Sequence, residues 1–94
     1  MSKFNLLYDY CEIRGLEFPA NQKEADAVLM SIGSDLAPEN LYEDGQLSDA
    51  QAMQKRSYSL QLARLVFSFG FALHGEVTQT DGYYDLLEVL NEAN

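Results

Sequence analysis

Four carboxylates near the C-terminus have a spacing that suggests a task. Asp81, Asp85, Glu88 and Glu92 recur at i, i+4, i+7 and i+11. On a helix this spacing sets them along one ridge, each turn rising about 5.4 Å. A DNA strand spaces its phosphates at a comparable distance. Such a ridge can imitate a phosphate track and occupy a basic nucleic-acid site. The plainer expectation is an acidic face that keeps the chain in solution. Like charges at i, i+4 cost a helix a few tenths of a kcal/mol each, so the pattern does not serve the helix itself.

Tyrosines offer a second kind of chemistry. Tyr42, Tyr58, Tyr83 and Tyr84 can bury ring area while keeping a polar tip, the habit of interface residues. Tyr83 and Tyr84 are adjacent, so one helix cannot turn both inward. Together with Glu43 and Asp44 of an acidic loop, the expected partner-binding set is Asp81, Asp85, Glu88, Glu92, Tyr84, Tyr42, Glu43 and Asp44.

Catalytic groups are sparse. Cys11 is the only cysteine and His74 the only histidine. A Cys–His pair would need an orienting group and an oxyanion site, and no spacing points to either. Cys11 falls on an apolar stripe, where a free cysteine acts as a small hydrophobe. His74 is expected at a helix end, against the last carbonyls. A structural zinc site wants four nitrogen or sulfur ligands. Glu39 and Glu43 lie at i, i+4 but lack histidine partners for a metal. No glycine-rich phosphate loop and no calcium loop is present. The expectation is therefore no enzyme, no cofactor and no metal.

Composition narrows the rest. Ninety-four residues make one domain, 1–94. The chain is 47% hydrophobic and 12% aromatic, which excludes a disordered chain. The formal charge is −9. Asp35–Asp49 and Glu76–Asn94 each hold five acids and no base. A direct nucleic-acid binder should show a clustered basic face instead. An anionic membrane would repel this chain. The longest near-continuous apolar run, Leu65–Leu73, is about half of the roughly 20 residues a span needs. Asp9 and Glu12 come too early for a secretory signal, and a lone cysteine forms no intrachain disulfide. The cytoplasm is the expected compartment.

The element expected to organise all this is Ser48–Gly75, read as one long and mostly buried central helix. It opens on a Ser48–Gln51 capping box and closes at His74-Gly75. Tyr58, Leu62, Leu65, Val66, Phe69 and Leu73 share one face, and Leu60, Ala63, Phe67 and Phe71 the other. Ser57, Gln61, Arg64 and Ser68 make a narrow polar stripe. A rival reading takes the alternation Phe67, Phe69, Phe71, Leu73 as a strand, with a turn at His74-Gly75 and a return over Glu76–Gln79.

Around it, Lys3–Arg14 is expected as a helix stopped by Gly15. Leu16–Pro19 is a connector. Asn21 caps a helix that Gly33 ends, with Ala25, Val28, Leu29 and Ile32 inward. Ser34–Leu47 is an acidic connection with a helical turn at Pro38–Tyr42 and with Leu36, Leu41 and Tyr42 exposed. Glu76–Thr80 is a β-prone connector. Thr80 or Asp81 caps a last helix, Gly82–Ala93, with Tyr83, Leu86, Leu87 and Leu90 inward. The expected fold is all-α, a small single domain of about four helices around the central one. The alternative is α+β with a short hairpin near residues 65–79.

The functional expectation is a small acidic protein-binding module. It would be an inhibitor or adaptor that occludes a basic, nucleic-acid-handling surface on a partner protein, as inhibitors carried by phage and mobile elements do. The alternative is a homodimer or larger assembly, a structural or regulatory subunit that places Phe67, Phe69 and Phe71 at its interface.

Overall fold

The computed structural model describes residues 4–93. Five α-helices follow in order: α1 (Asn5–Arg14), α2 (Gln22–Asp35), α3 (Pro38–Leu41), α4 (Asp49–Phe67) and α5 (Tyr83–Ala93). A 3-10 turn, Val77–Gln79, precedes α5. The fold is all-α, and there is no strand among the described residues. The expected start of α1 at Lys3 lies outside them.

Helix starts obey local chemistry. Asn21 accepts a hydrogen bond from the Glu24 backbone N–H at 2.9 Å, and its amide donates to the Glu24 carboxylate. Ser48 and Gln51 satisfy each other's backbone N–H in a complete capping box. Pro38 opens α3, where its missing N–H costs nothing. Gly15 ends α1 at φ +69, a left-handed conformation that glycine adopts without a Cβ penalty.

α4 is the hub and contacts each of the other four helices. Its inward face is Ala52, Ser59, Leu62, Ala63, Val66 and Phe67, while Ser57, Gln61, Arg64 and Ser68 form the expected solvent stripe. Against this face lie Leu7 and Cys11 of α1, Val28, Leu29 and Ile32 of α2, and Leu86 and Val89 of α5. Each fully buried leucine, isoleucine or valine contributes about 1.5–3 kcal/mol.

Three boundaries differ from the sequence expectation, each for a physical reason. The central helix ends at Phe67 and not at Gly75. Gly70 sits at φ +87 and donates to the Phe67 carbonyl at 2.9 Å, turning the chain out of the helix. Residues 71–76 then form a non-helical strap. Its Ala72 carbonyl accepts from the Gln22 side chain at 2.9 Å, so a side chain takes the place a partner strand would have filled. Within the strap, His74 O accepts from Val77 and Thr78 N–H, which curls the expected return strand into the 3-10 turn. Neither the long helix to Gly75 nor the hairpin of residues 65–79 exists.

The second difference is at Gly33. α2 runs through it to Asp35. A Cβ on Gly82 would lie 2.8 Å from the Gly33 Cα, and one on Gly33 would strike Thr80. Gly33 is present because the start of α5 crosses α2 backbone to backbone. α2 stops where Ala37, just before Pro38, is forced extended at ψ 141. The third difference is the Ser34–Leu47 connection. Leu36 and Leu41 are not exposed but buried at 3% and 7%, so the short helix is sewn into the core.

Candidate protein-binding surface

The expected site residues fall on two separate elements with different electrostatics. Asp85, Glu88 and Glu92 do share a ridge on α5. That ridge faces the arginines of α4. Arg56 donates to Asp85 Oδ1 at 2.6 and 3.1 Å and to Glu88 Oε2 at 3.1 Å. Arg64 donates to Glu92 at 3.0 Å. The pairs ascend together along both helices, so α4 and α5 run in the same direction. The Asp85 carboxylate, and Glu88 beyond it, hold the Arg56 guanidinium's pKa above its ordinary value. No cation lies within residues 76–94, so the sequence offered no local sign of this pairing. Asp81 remains exposed and has no ion pair among the described residues.

The second element is the segment 39–49, running from α3 through the turn after it to the first residue of α4. Glu39, Glu43, Asp44 and Asp49 are all exposed, and none takes part in an ion pair among the described residues. The one nearby lysine, Lys55, turns its ammonium to the Asn40 carbonyl at 2.6 Å. Cations at the carbonyl end of a helix are favourable. Here it ties the loop down without capping a carboxylate. Arg14 is likewise occupied, donating to the buried Asp35 at 2.8 Å. Arg14, Asp35, Asn40, Glu43, Asp44 and Lys55 surround a hollow of about 340 Å³.

Two non-glycine residues in this loop have left-handed backbone, Glu43 at φ +49 and Asp44 at φ +56, followed by Gly45 at +87. Left-handed residues cost L-amino acids roughly 1–2 kcal/mol each, less for Asp. The loop is held there by its hydrogen bonds. Asp44 N–H donates to Glu39 O at 2.8 Å, and Gly45 and Leu47 N–H both reach Tyr42 O at 3.1 Å. This turn leaves the adjacent Glu43 and Asp44 exposed at the rim of the hollow. Tyr42 is partly exposed beside it, and the Asp49 carboxylate pushes its phenol pKa up.

The tyrosines divide as their adjacency requires. Tyr84 is 79% exposed, and Tyr83 is half-buried with its ring 5.0 Å from Tyr84. Tyr58 is 37% exposed, beside α1.

Behind the loop is a buried polar network. The Tyr10 hydroxyl donates to Asp35 at 2.9 Å and meets Ser31 at 2.7 Å, while Arg14 lies 5.2 Å from the ring centre. Burial first, then the Asp35 charge, raises the Tyr10 phenol well above its usual range. These bonds fix α1 against α2 and so position the floor of the hollow.

The two reactive side chains have structural partners. Cys11 is 2% exposed in the core, and burial pushes its thiol pKa up, away from the thiolate that attacks. His74 is not at a helix end as expected. It sits on the strap, with Nδ1 3.3 Å from Oδ2 of the buried Asp26. Among the described residues no group of three or more His, Cys, Asp or Glu has the placement to hold a metal. No described helix is long and apolar enough to cross a membrane.

A further surface was not foreseen. Phe4, Tyr8, Phe18, Phe69 and Phe71 come from three separate stretches and meet ring to ring at one edge of the molecule. Tyr8 stacks on Phe18 at 3.9 Å, and Phe69 meets Phe18 edge-on at 5.6 Å.

No family model, no curated protein and no solved structure matches this chain.

Proposed function

We propose that this chain is a small acidic protein-binding module that covers a basic surface of a partner protein, acting as an inhibitor or adaptor. The observation that carries the reading is the segment 39–49: four exposed carboxylates without an ion pair among the described residues, two of them on a turn held at positive φ by its own hydrogen bonds. A fixed anionic projection loses little conformational entropy on binding, which favours affinity over a solvated tail of the same charge. Tyr42 supplies an amphipathic ring beside it. The α5 ridge is the weaker half of the surface, since Arg56 and Arg64 offset three of its carboxylates; Asp81 and Tyr84 extend the acidic face there. A partner that normally holds nucleic acid has the basic surface such a projection would fill.

The test is affinity capture with the tagged chain at low and high salt, run beside a Glu43→Lys, Asp44→Lys variant. The expected result is a basic protein that binds the parent, leaves at high salt and fails to bind the variant. A partner that ignores the double reversal would move the binding face away from the loop. Capture that resists salt would end the electrostatic account.

A further inference from the structure

Two Asp-Gly pairs occur in the chain, Asp44-Gly45 and Asp81-Gly82. This dipeptide has a chemistry of its own. The glycine nitrogen can close on the aspartate Cγ, because a five-membered ring brings the two atoms together and no Cβ on the second residue obstructs it. The fold gives the two pairs opposite surroundings. Gly45 is exposed, and a Cβ there would meet nothing within 4 Å. Gly82 is buried, and a Cβ there would strike the Gly33 carbonyl oxygen and lie 2.8 Å from the Gly33 Cα.

We infer that Asp44-Gly45 is a site of spontaneous modification, where the exposed turn isomerises to isoaspartate while Asp81-Gly82 is spared. In the first step the Gly45 nitrogen attacks the neutral Asp44 carboxyl. An N–Cγ bond forms, and the carboxyl hydroxyl leaves as water with the N–H proton. The product is a cyclic imide. Water then opens the ring at either carbonyl. Opening at Cγ restores aspartate. Opening at the main-chain carbonyl carbon breaks its bond to the Gly45 nitrogen. The chain then runs through Cβ and Cγ, and the former main-chain carbonyl becomes the free carboxylate. One water is lost and one regained, so mass and charge are unchanged and no oxidant or reductant takes part.

The fold, more than the dipeptide, selects the site. Ring closure requires the peptide between the two residues to rotate. At Asp44-Gly45 this breaks the Gly45 and Leu47 N–H bonds to Tyr42 O, both 3.1 Å, and nothing outside the turn need move. Opening the turn also releases Glu43 and Asp44 from left-handed backbone, which L-residues adopt at a cost. At Asp81-Gly82 the same rotation must part the α2–α5 crossing, which is main chain against main chain. An exposed turn opens far more often than a packed helix. The modified turn has a main chain one atom longer and a displaced carboxylate. Weaker partner binding as the protein ages would follow, and that consequence alone rests on the function proposed above.

The test keeps the folded full chain warm for weeks, beside the same chain unfolded in urea, and maps both with trypsin. Cleavage at Lys23, Lys55 and Arg64 puts Asp44 in the peptide 24–55 and Asp81 in the peptide 65–94. Isoaspartate is read as an unchanged mass at a new retention time, labelled by an isoaspartyl methyltransferase and placed by electron-transfer fragmentation. In the folded chain, residue 44 should convert about tenfold faster than residue 81 or more, since local openings precede those of packed helices. In urea the two should convert at similar rates. Asp44→Glu keeps the charge but would need a six-membered ring, so it should abolish the signal at this position, with circular dichroism confirming the helices. The comparison of the two pairs within one chain stands whether or not that variant folds. Equal conversion at both sites in the folded chain would overturn the inference. So would faster conversion at residue 81, or none at residue 44 over a period in which the unfolded chain converts. Conversion at residue 44 with partner capture unchanged would support the modification site and count against the segment 39–49 as the binding face.

Discussion

The α5 ridge and the α3 loop have similar acid content and opposite electrostatic fates. On α5, Asp85, Glu88 and Glu92 meet Arg56 and Arg64 of a parallel neighbour, and their charge is used to hold two helices side by side. Along the segment 39–49, Glu39, Glu43, Asp44 and Asp49 have one lysine nearby, and that lysine is bound to a backbone carbonyl. An acidic cluster is therefore left unpaired or made into a helix clamp according to what the neighbouring element brings. The spacing of acids along one helix does not distinguish them.

The contrast can be broken most severely where α5 is seated. Gly82→Ala would push a methyl into the Gly33 backbone, and both partners are main chain, so neither yields easily. We expect a loss of about 3 kcal/mol, at the upper end of overpacking costs. For a domain of this size that lowers the melting temperature by more than about 10 °C. Chemical denaturation and thermal melting measure it. A loss well under 1 kcal/mol would mean that the close α2–α5 crossing is not what seats the helix.

Arg56→Met asks what the clamp contributes. It keeps the packing stem and leaves Asp85 and Glu88 without their shared cation. Paired groups that are about one-third exposed contribute modestly, so the expected loss is about 1 kcal/mol, and it should shrink at high salt. The variant also unmasks the ridge. If the ridge can act as a phosphate track, partner binding should strengthen as stability falls. Unchanged or weaker binding would exclude the ridge and leave the loop as the anionic surface.

The smallest effect is expected on the loop. Asp44→Gly relieves the left-handed backbone at φ +56, and the gain is offset in part by the larger entropy of the unfolded chain. The net change should be a stabilisation of about 0.5 kcal/mol, read in the same melts, with partner binding reduced. Destabilisation would show that the Asp44 side chain holds the turn together.

How much of this was legible in the sequence follows the range of each interaction. The Asn21 and Ser48 caps, the proline start of α3 and the glycine stop of α1 were readable, because each is settled within a few residues. The inward face of α2 follows from periodicity; on α5 periodicity finds Leu86, but the second buried residue is Val89, while Tyr83, Leu87 and Leu90 are only partly buried. The end of α4 was misread, because the run from Leu65 to Leu73 satisfies helix and strand periods alike. Only the Gln22 side chain and the left-handed Gly70 settle it. Gly33 was read as a stop because its reason, Gly82, is 49 positions away. In the candidate surface, Tyr42, Glu43 and Asp44 were nameable from the acidic run. The neutralisation of Asp85, Glu88 and Glu92 was not, since the arginines lie some 30 residues earlier.

The sequence by itself determined that the chain is helical, strongly acidic and capped where the helices begin, since propensity, charge and capping are local or additive. Tertiary structure alone decided which acids keep their charge unpaired and which exposed rings form a common face. Both outcomes depend on elements distant in the chain being brought within a few ångströms by the packing around α4. A hydrogen bond or a ring contact acts only at that range, and no pattern along the chain records it.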